Sequence, residues 1–327
     1  MKRFIAPLAF LLAATLVQAQ PGGGGREIAV SQGQINNVLI SPDGNYVAAQ
    51  AARFKLNADD KKVGDGTEIV VWDATRGTVR FKTGRTKDRP VAFTPDSKQL
   101  VSVGTTEDGY AEVKTWEVFN GKPSPKLQTN QPSSVVFFPD GNTVMTIGKL
   151  KPSVEVLNFT SGVIVDSFTI EDHKYRNFRP SAQSPFLAIV ETGPRTIGLY
   201  SRDTKSGKSK TTRLAGITSA IITPDGKQVI GNGEGKLRSF DAAGKLRWNS
   251  TGEYQRFHVD GKAIVGIEGR GRVTLLDAAT GRKIRSIETG LRGTMSAALS
   301  KDGKTLIASG SKDNTRWAVL AFTVPGK

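Results

Sequence analysis

Short apolar runs recur along the chain in pairs, each pair separated by a compact polar turn. Val38-Leu39-Ile40 and Tyr46-Val47-Ala48-Ala49 flank Ser41-Pro42-Asp43-Gly44, while Ala220-Ile221-Ile222 and Val229-Ile230 flank Thr223-Pro224-Asp225-Gly226. Runs of this length bounded by turn residues predict strands, and a pair closed on Pro-Asp-Gly predicts a hairpin. In a type I turn the fixed φ of proline suits the second position, aspartate the third and glycine the fourth. The same turn stands at Phe138-Pro139-Asp140-Gly141, with variants at Thr94-Pro95-Asp96-Ser97, Val259-Asp260-Gly261 and Lys301-Asp302-Gly303. The interval from Asp140 to Asp225 is twice the usual one, which places a degenerate copy at Ser184-Pro185-Phe186.

A second marker gives the same period. Each hairpin leads into an alternating strand that ends in a bulky residue before a glycine-containing turn. These endings are Trp72-Asp73, Trp116-Glu117, Leu157-Asn158, Tyr200-Ser201, Phe240-Asp241, Leu276-Asp277 and Val319-Leu320. Successive endings lie 36 to 44 residues apart. Units of about 40 residues, each with four short strands, are the signature of an all-β propeller, because a small sheet hides both its faces only between neighbours. Seven endings predict a seven-bladed β-propeller.

The ring also has to close. After the last ending too little chain remains for a well-paired fourth strand, and an open edge invites aggregation. Arg26 to Ser31 precedes the first hairpin and reads as a strand, so it is expected to close the last blade from outside. Residues 26–327 thus form the propeller domain. Ahead of it, Met1-Lys2-Arg3 and the uncharged stretch Phe4–Val17 end in Val17-Gln18-Ala19, the pattern of a signal peptide over residues 1–19. A bilayer-spanning helix needs about 20 apolar residues, more than this stretch offers. Residues 20–25 are a glycine-rich spacer. An exported bacterial protein, periplasmic or secreted, is the expectation.

Composition narrows the chemistry. The 327 residues include no cysteine and two histidines. Disulfides, thiolate metal sites and cysteine nucleophiles are excluded. Lysine and arginine number 46 against 30 acidic residues, a formal charge of +16 that points to an anionic partner.

The repeats resemble those of the WD-repeat β-propellers over nearly the whole propeller domain. Leu306 to Thr315 is similar to that family's turn between second and third strands, and Trp72-Asp73 keeps its literal dipeptide. The family's Gly-His pair is absent, so its histidine-centred hydrogen-bond tetrad does not form as the family builds it. Asp241-Ala242-Ala243-Gly244-Lys245 with Trp248, and Asp277-Ala278-Ala279-Thr280-Gly281, are also similar to quinoprotein-like (YVTN-like) propeller repeats. That likeness does not bring the quinone cofactor: the vicinal cysteines found beside it are absent, and no cofactor is expected.

In propellers of this kind ligands sit where the loops from outer to next inner strand share a face with the turns between second and third strands. Basic residues crowd those segments, and the candidate binding residues are Arg89, Lys149, Arg176, Arg179, Arg195, Arg270 and Arg316. Arg85, Lys87, Lys151, Lys174, Arg272, Arg292 and Lys312 fall in the same segments. His173 to Pro180 interleaves cations with aromatics and reads as a loop flanking a strand. Residues 53–66 read as a long solvated loop, whose Asp59, Asp60, Asp65 and Glu68 lack the alternating spacing of a calcium loop. His258 follows Phe257 in an innermost strand and reads as packing into the channel, and no catalytic residue or metal site is assigned. Gly231 to Gly235 reads as a tight turn. The leading expectation is a monomeric, non-enzymatic interaction platform for a protein or anionic polymer, nucleic acid being an unsuitable partner for an exported chain. The alternative is a lactonase-like propeller hydrolase with an acidic or metal site at the channel mouth.

Overall fold

A computed structural model describes residues 25–325, apart from 32, 57–60, 106–110, 128–131, 138–141, 149–152, 170–173, 180–185, 194–195, 203–205, 207, 224 and 314. The expected signal peptide, most of the spacer and the degenerate turn around Ser184 lie outside these residues.

Seven four-stranded antiparallel sheets make up the protein. Strand β1 (Arg26–Ser31) precedes the first blade, which is formed by β2 (Ile35–Ile40), β3 (Tyr46–Leu56), β4 (Lys62–Asp73) and β5 (Val79–Lys82). Blade 2 holds β6 (Arg89–Phe93), β7 (Gln99–Thr105), β8 (Ala111–Glu117) and β9 (Pro123–Leu127). Blade 3 holds β10 (Pro132–Phe137), β11 (Thr143–Gly148), β12 (Ser153–Asn158) and β13 (Ile164–Thr169). Blade 4 holds β14 (Lys174–Arg179), β15 (Phe186–Gly193), β16 (Thr196–Arg202) and β17 (Ser209–Arg213). Blade 5 holds β18 (Ser219–Ile222), β19 (Gln228–Gly233), β20 (Lys236–Asp241) and β21 (Leu246–Asn249). Blade 6 holds β22 (Arg256–Asp260), β23 (Ala263–Ile267), β24 (Arg272–Asp277) and β25 (Lys283–Glu288). Blade 7 holds β26 (Gly293–Leu299), β27 (Thr305–Ser311) and β28 (Trp317–Thr323), and its outer strand is β1. Among the described residues there is no α-helix, and no helix is long and apolar enough to cross a membrane.

The alternation of each strand divides its side chains between two neighbours. In blade 1, Val47, Ala49, Val70 and Trp72 pack toward blade 7, whereas Ala48, Ile69 and Val71 pack toward blade 2. Both faces are buried, so these strands read as continuous apolar runs. One apolar cluster fills each of the seven junctions between blades, including the junction of blade 7 with blade 1, where Ile28 of β1 joins it. The ring is therefore closed, with β1 running antiparallel to β28 from Arg26 opposite Ala321 to Ser31 opposite Trp317.

The turn chemistry explains the period. At four inner turns a hydroxyl donates to the aspartate two residues on: Ser41 to Asp43 at 2.5 Å, and Thr94 to Asp96, Thr223 to Asp225 and Ser300 to Asp302 at 2.6 Å. The same carboxylates accept the backbone N–H of Asn45, Lys98, Lys227 and Lys304. Burial acts to raise the Asp43 and Asp96 carboxyls. Hydrogen bonds from Ser41, Asn45 and Ser97 on the first, and from Thr94 and Lys98 on the second, outweigh it and leave both below the usual carboxylate range. The Ser300 hydroxyl, with the Lys304 N–H, lowers Asp302 in the same way. A carboxyl lowered in the folded chain stabilises the fold above its unfolded pKa, and that contribution disappears as pH falls through the folded value. The unfolding midpoint is expected to hold from pH 7 to about 5 and to drop below about pH 4. An Asp43→Asn/Asp96→Asn/Asp302→Asn variant should show a shallower drop in a calorimetric pH series; an equally steep one would reject the assignment.

Three features depart from the sequence reading. The seventh ending is Phe322-Thr323 rather than Val319-Leu320, because Leu306 faces Phe322 as Val47 faces Trp72. Asp260 is not a turn residue: it pairs with Ala263 at the end of β22, and the turn beyond it is two residues long. Residues 53–66 are not a solvated loop. β3 and β4 extend past the blade as a hairpin, with Phe54 opposite Gly64 and Leu56 opposite Lys62, and only its tip (57–60) lies outside the described residues. Of the stretch expected as a tight turn, Gly231 to Gly233 end β19 and only Glu234 and Gly235, both at positive φ, make the turn between paired Gly233 and Lys236.

Candidate functional site

Hydrogen bonds between turns define the two faces of the ring. Ala74 N–H reaches the carbonyl of Asn45, and Val118 N–H that of Lys98, which joins the turns after first and third strands on one face. Thr289 N–H reaches the carbonyl of Gly271, and Tyr254 N–H that of Gly235, which joins the loops between blades to the turns after second strands on the other. This second face is the one to which the basic segments belong.

The candidate cations do not form one cluster. Arg89 opens β6 and is exposed at the wall of the central channel. Arg316 ends the turn between β27 and β28, where its Nε donates to Asp313 Oδ2 at 2.6 Å. Backbone N–H groups of Thr315 and Arg316 converge on the same carboxylate, and with the guanidinium they hold Asp313 far below the usual carboxylate range. Arg270 belongs to the 3-10 turn Gly269–Gly271. Lys149 and Arg195 lie outside the described residues. The segment read as a loop from His173 is instead, over Lys174–Arg179, the innermost strand of blade 4, paired with β15 from Lys174 opposite Glu191 to Arg179 opposite Leu187. Arg176 is its bulged residue, skipped between the pairs made by Tyr175 and Asn177. Arg176 and Arg179 therefore stand on a channel strand.

Several other cations are neutralised locally. Asp65 lies 3.6 to 3.8 Å from Arg53, Lys55 and Arg85, and Glu68 lies 3.7 to 3.8 Å from Lys82 and Arg53. These acids serve cations of the hairpin and of the neighbouring β5 segment, which speaks against a calcium role for them. Arg272 pairs with Glu288 and Glu268, and Lys312 with Glu27. Surface pairs of this kind add little stability, but they remove charge from the face.

The channel itself was the less expected finding. A cavity of about 580 Å³ runs between the innermost strands of blades 1, 2, 6 and 7. Its polar wall carries Asn37, Arg89, Arg256, His258, Asp260 and Ser296. Arg256, His258 and Asp260 share one face of β22 because strand side chains repeat every second residue. His258 Nε2 lies 2.8 Å from Asp260 Oδ2, and the same oxygen accepts the backbone N–H of Leu299 in blade 7 at 2.8 Å. Arg256 Nη1 donates to the carbonyl of Met295 at 2.9 Å. His258 thus faces the channel as the sequence suggested, but with a carboxylate partner that the sequence reading assigned to a turn. Among the described residues no three His, Cys, Asp or Glu side chains are grouped to hold a metal ion.

No protein-family profile matches the chain, and no curated protein does either. Among solved structures, a chain of the hydrazine synthase of Kuenenia stuttgartiensis is similar, with a TM-score of 0.65 and 18% identity. The match covers 97% of this chain and 99% of that one. At this identity the likeness concerns the fold, and it supports a seven-bladed propeller. The activity in that protein's name belongs to that protein, since one fold hosts many functions.

Proposed function

We propose that the chain is an exported, non-enzymatic propeller of the WD-repeat, quinoprotein-like type. It binds a protein or anionic polymer through the basic face around its channel mouth, with Arg89, Lys149, Arg176, Arg179, Arg195, Arg270 and Arg316 as the binding set. The observation that supports this most is the exposure of Lys87, Arg89 and Arg292 at the ends of the loops between blades. Loops on a rigid ring offer charge at little ordering cost, and low-dielectric walls strengthen the field they make. Retention on heparin-type beads should fall with salt, as for any contact between exposed charges. A Lys87→Glu/Arg292→Glu variant should elute at markedly lower salt than the wild type; unchanged elution would sink this reading. One observation favours a hydrolase as the second reading, the His258–Asp260 pair inside the channel. Turnover of a lactone and phosphoester panel that disappears in His258→Ala would reverse the order.

A further inference from the structure

We propose that the central channel is a binding site for a small organic anion with an oxyanion head, carboxylate or phosphate, and an apolar body. It shares Arg89 with the loop face that meets macromolecules, and its other polar groups lie on β2, β22 and β26 within the channel.

Register shifts mark five of the described innermost strands, β2, β6, β10, β14 and β26, and three of these line the cavity. β6 skips Val91 between its paired Pro90 and Ala92, and β26 skips Met295 between Thr294 and Ser296. In β2 the register shifts between Asn36 and Leu39, and Asn37 takes a φ of 51°. All three irregularities fall on the cavity wall. Bulges re-aim side chains and gather beside functional sites, and a non-glycine residue at positive φ persists where its surroundings hold it.

The bulges also place chemistry. Arg256 is anchored on the carbonyl of the bulged Met295, so its guanidinium is positioned across the junction of blades 6 and 7. His258 is fixed through Nε2 by Asp260, which is fixed in turn by the Leu299 N–H, leaving Nδ1 as the second hydrogen-bonding atom of the ring. Among the described wall residues Asp260 is the one carboxylate, and His258 Nε2 and the Leu299 N–H already meet its Oδ2. Among the described wall residues, the guanidiniums of Arg89 and Arg256 outnumber the single carboxylate of Asp260. The rest of the lining is apolar, with Leu39, Val91, Ile267 and Ala298 among it. Small-molecule pockets span roughly 300–1,000 Å³ and pair an apolar wall with a few fixed polar groups, which this cavity does at about 580 Å³.

The full chain is titrated with 2-naphthoate, 2-naphthyl phosphate and neutral 2-naphthamide, following ligand fluorescence. At least one of the two anions should saturate the protein at one site, and the tighter of them assigns the head group. Naphthamide should bind roughly ten-fold more weakly or worse. Arg89→Gln and Arg256→Gln, both exposed positions, should each weaken anion binding by about ten-fold while leaving the thermal midpoint and the naphthamide affinity unchanged. Lys87→Glu/Arg292→Glu should bind the anions like the wild type, so failure of the loop-face reading leaves this result standing. The proposal is overturned if neither anion saturates the wild type, if naphthamide matches them, or if both glutamine variants bind as the wild type does.

Discussion

Deleting residues 26–31 is expected to lower the unfolding midpoint by more than about 10 °C and to make the protein self-associate. β1 is six residues long, yet it completes the outer edge of blade 7 and places Ile28, 5% exposed, in the cluster between blades 7 and 1. Removing a buried isoleucine alone costs about 2–5 kcal/mol. The deletion also strips β28 of its ladder partner, removes the Glu27–Lys312 ion pair, and takes away the Arg26 guanidinium from the Ala74 carbonyl. Those losses raise the total well beyond the single side chain, and a domain of this size shifts by about 2–4 °C per kcal/mol. Exposed β28, rich in apolar residues, then offers its free backbone groups to another chain. Calorimetry and light scattering check both parts. Glu27→Gln should move the midpoint by less than about 2 °C, since an exposed pair contributes little. A deletion variant that stays monomeric with an unchanged midpoint would show that blade 7 does not depend on β1.

This closure was legible in the sequence, as were the blade count and the two faces, because the period was written twice in independent chemistry. Ser/Thr-Pro-Asp-Gly marks one end of each hairpin, where hydroxyl and backbone donors meet the aspartate. The bulky-residue-plus-Asp ending marks another, where Asp73 and Asp277 accept N–H groups of their own turns, as at Thr75 and Thr280. Where only one marker survived, the reading slipped. Trp317 to Phe322 is apolar throughout, so nothing in it showed which bulky residue closes the strand. Lys174 to Arg179 is followed by no Pro-Asp-Gly turn, and its cations masked a period-2 strand. Arg53-Phe54-Lys55-Leu56 does alternate, and that signal for an extended hairpin outweighs the polar residues beyond it. The channel site was the hardest to see. Val259-Asp260-Gly261 looks like Lys301-Asp302-Gly303, which also lacks proline yet is a turn, and only the two-residue turn beyond Asp260 puts it beside His258 rather than out in solvent. Partners at i and i+2 on a strand meet, whereas residues adjacent in a strand point to opposite faces.

The second large effect lies at a glycine whose neighbour is backbone. Gly310, in β27, is expected to tolerate no side chain: a Cβ there would sit 2.1 Å from the carbonyl oxygen of Gly293 and 3.1 Å from Cα of Thr294. Neither is a flexible side-chain end, so relief requires β26 to move away from β27 beside the channel. Overpacking of this kind costs about 1–3 kcal/mol, which for Gly310→Ala predicts a midpoint lower by roughly 2–12 °C. Gly293 itself is the control, because a Cβ added there meets nothing within 4 Å. Gly293→Ala should therefore leave the midpoint within about 2 °C, although both residues take part in one contact. The contrast separates steric approach from loss of glycine as such, since both substitutions remove the same backbone freedom from the unfolded chain. The anion site adds a second readout. Gly310 lies opposite Thr294, immediately before the bulged Met295 whose carbonyl anchors Arg256. Displacing β26 should thus weaken naphthoate binding in Gly310→Ala at temperatures where it is fully folded, and leave it intact in Gly293→Ala. Equal stability and equal binding in the two variants would mean that β26 yields freely, and that the bulge does not hold Arg256 in place.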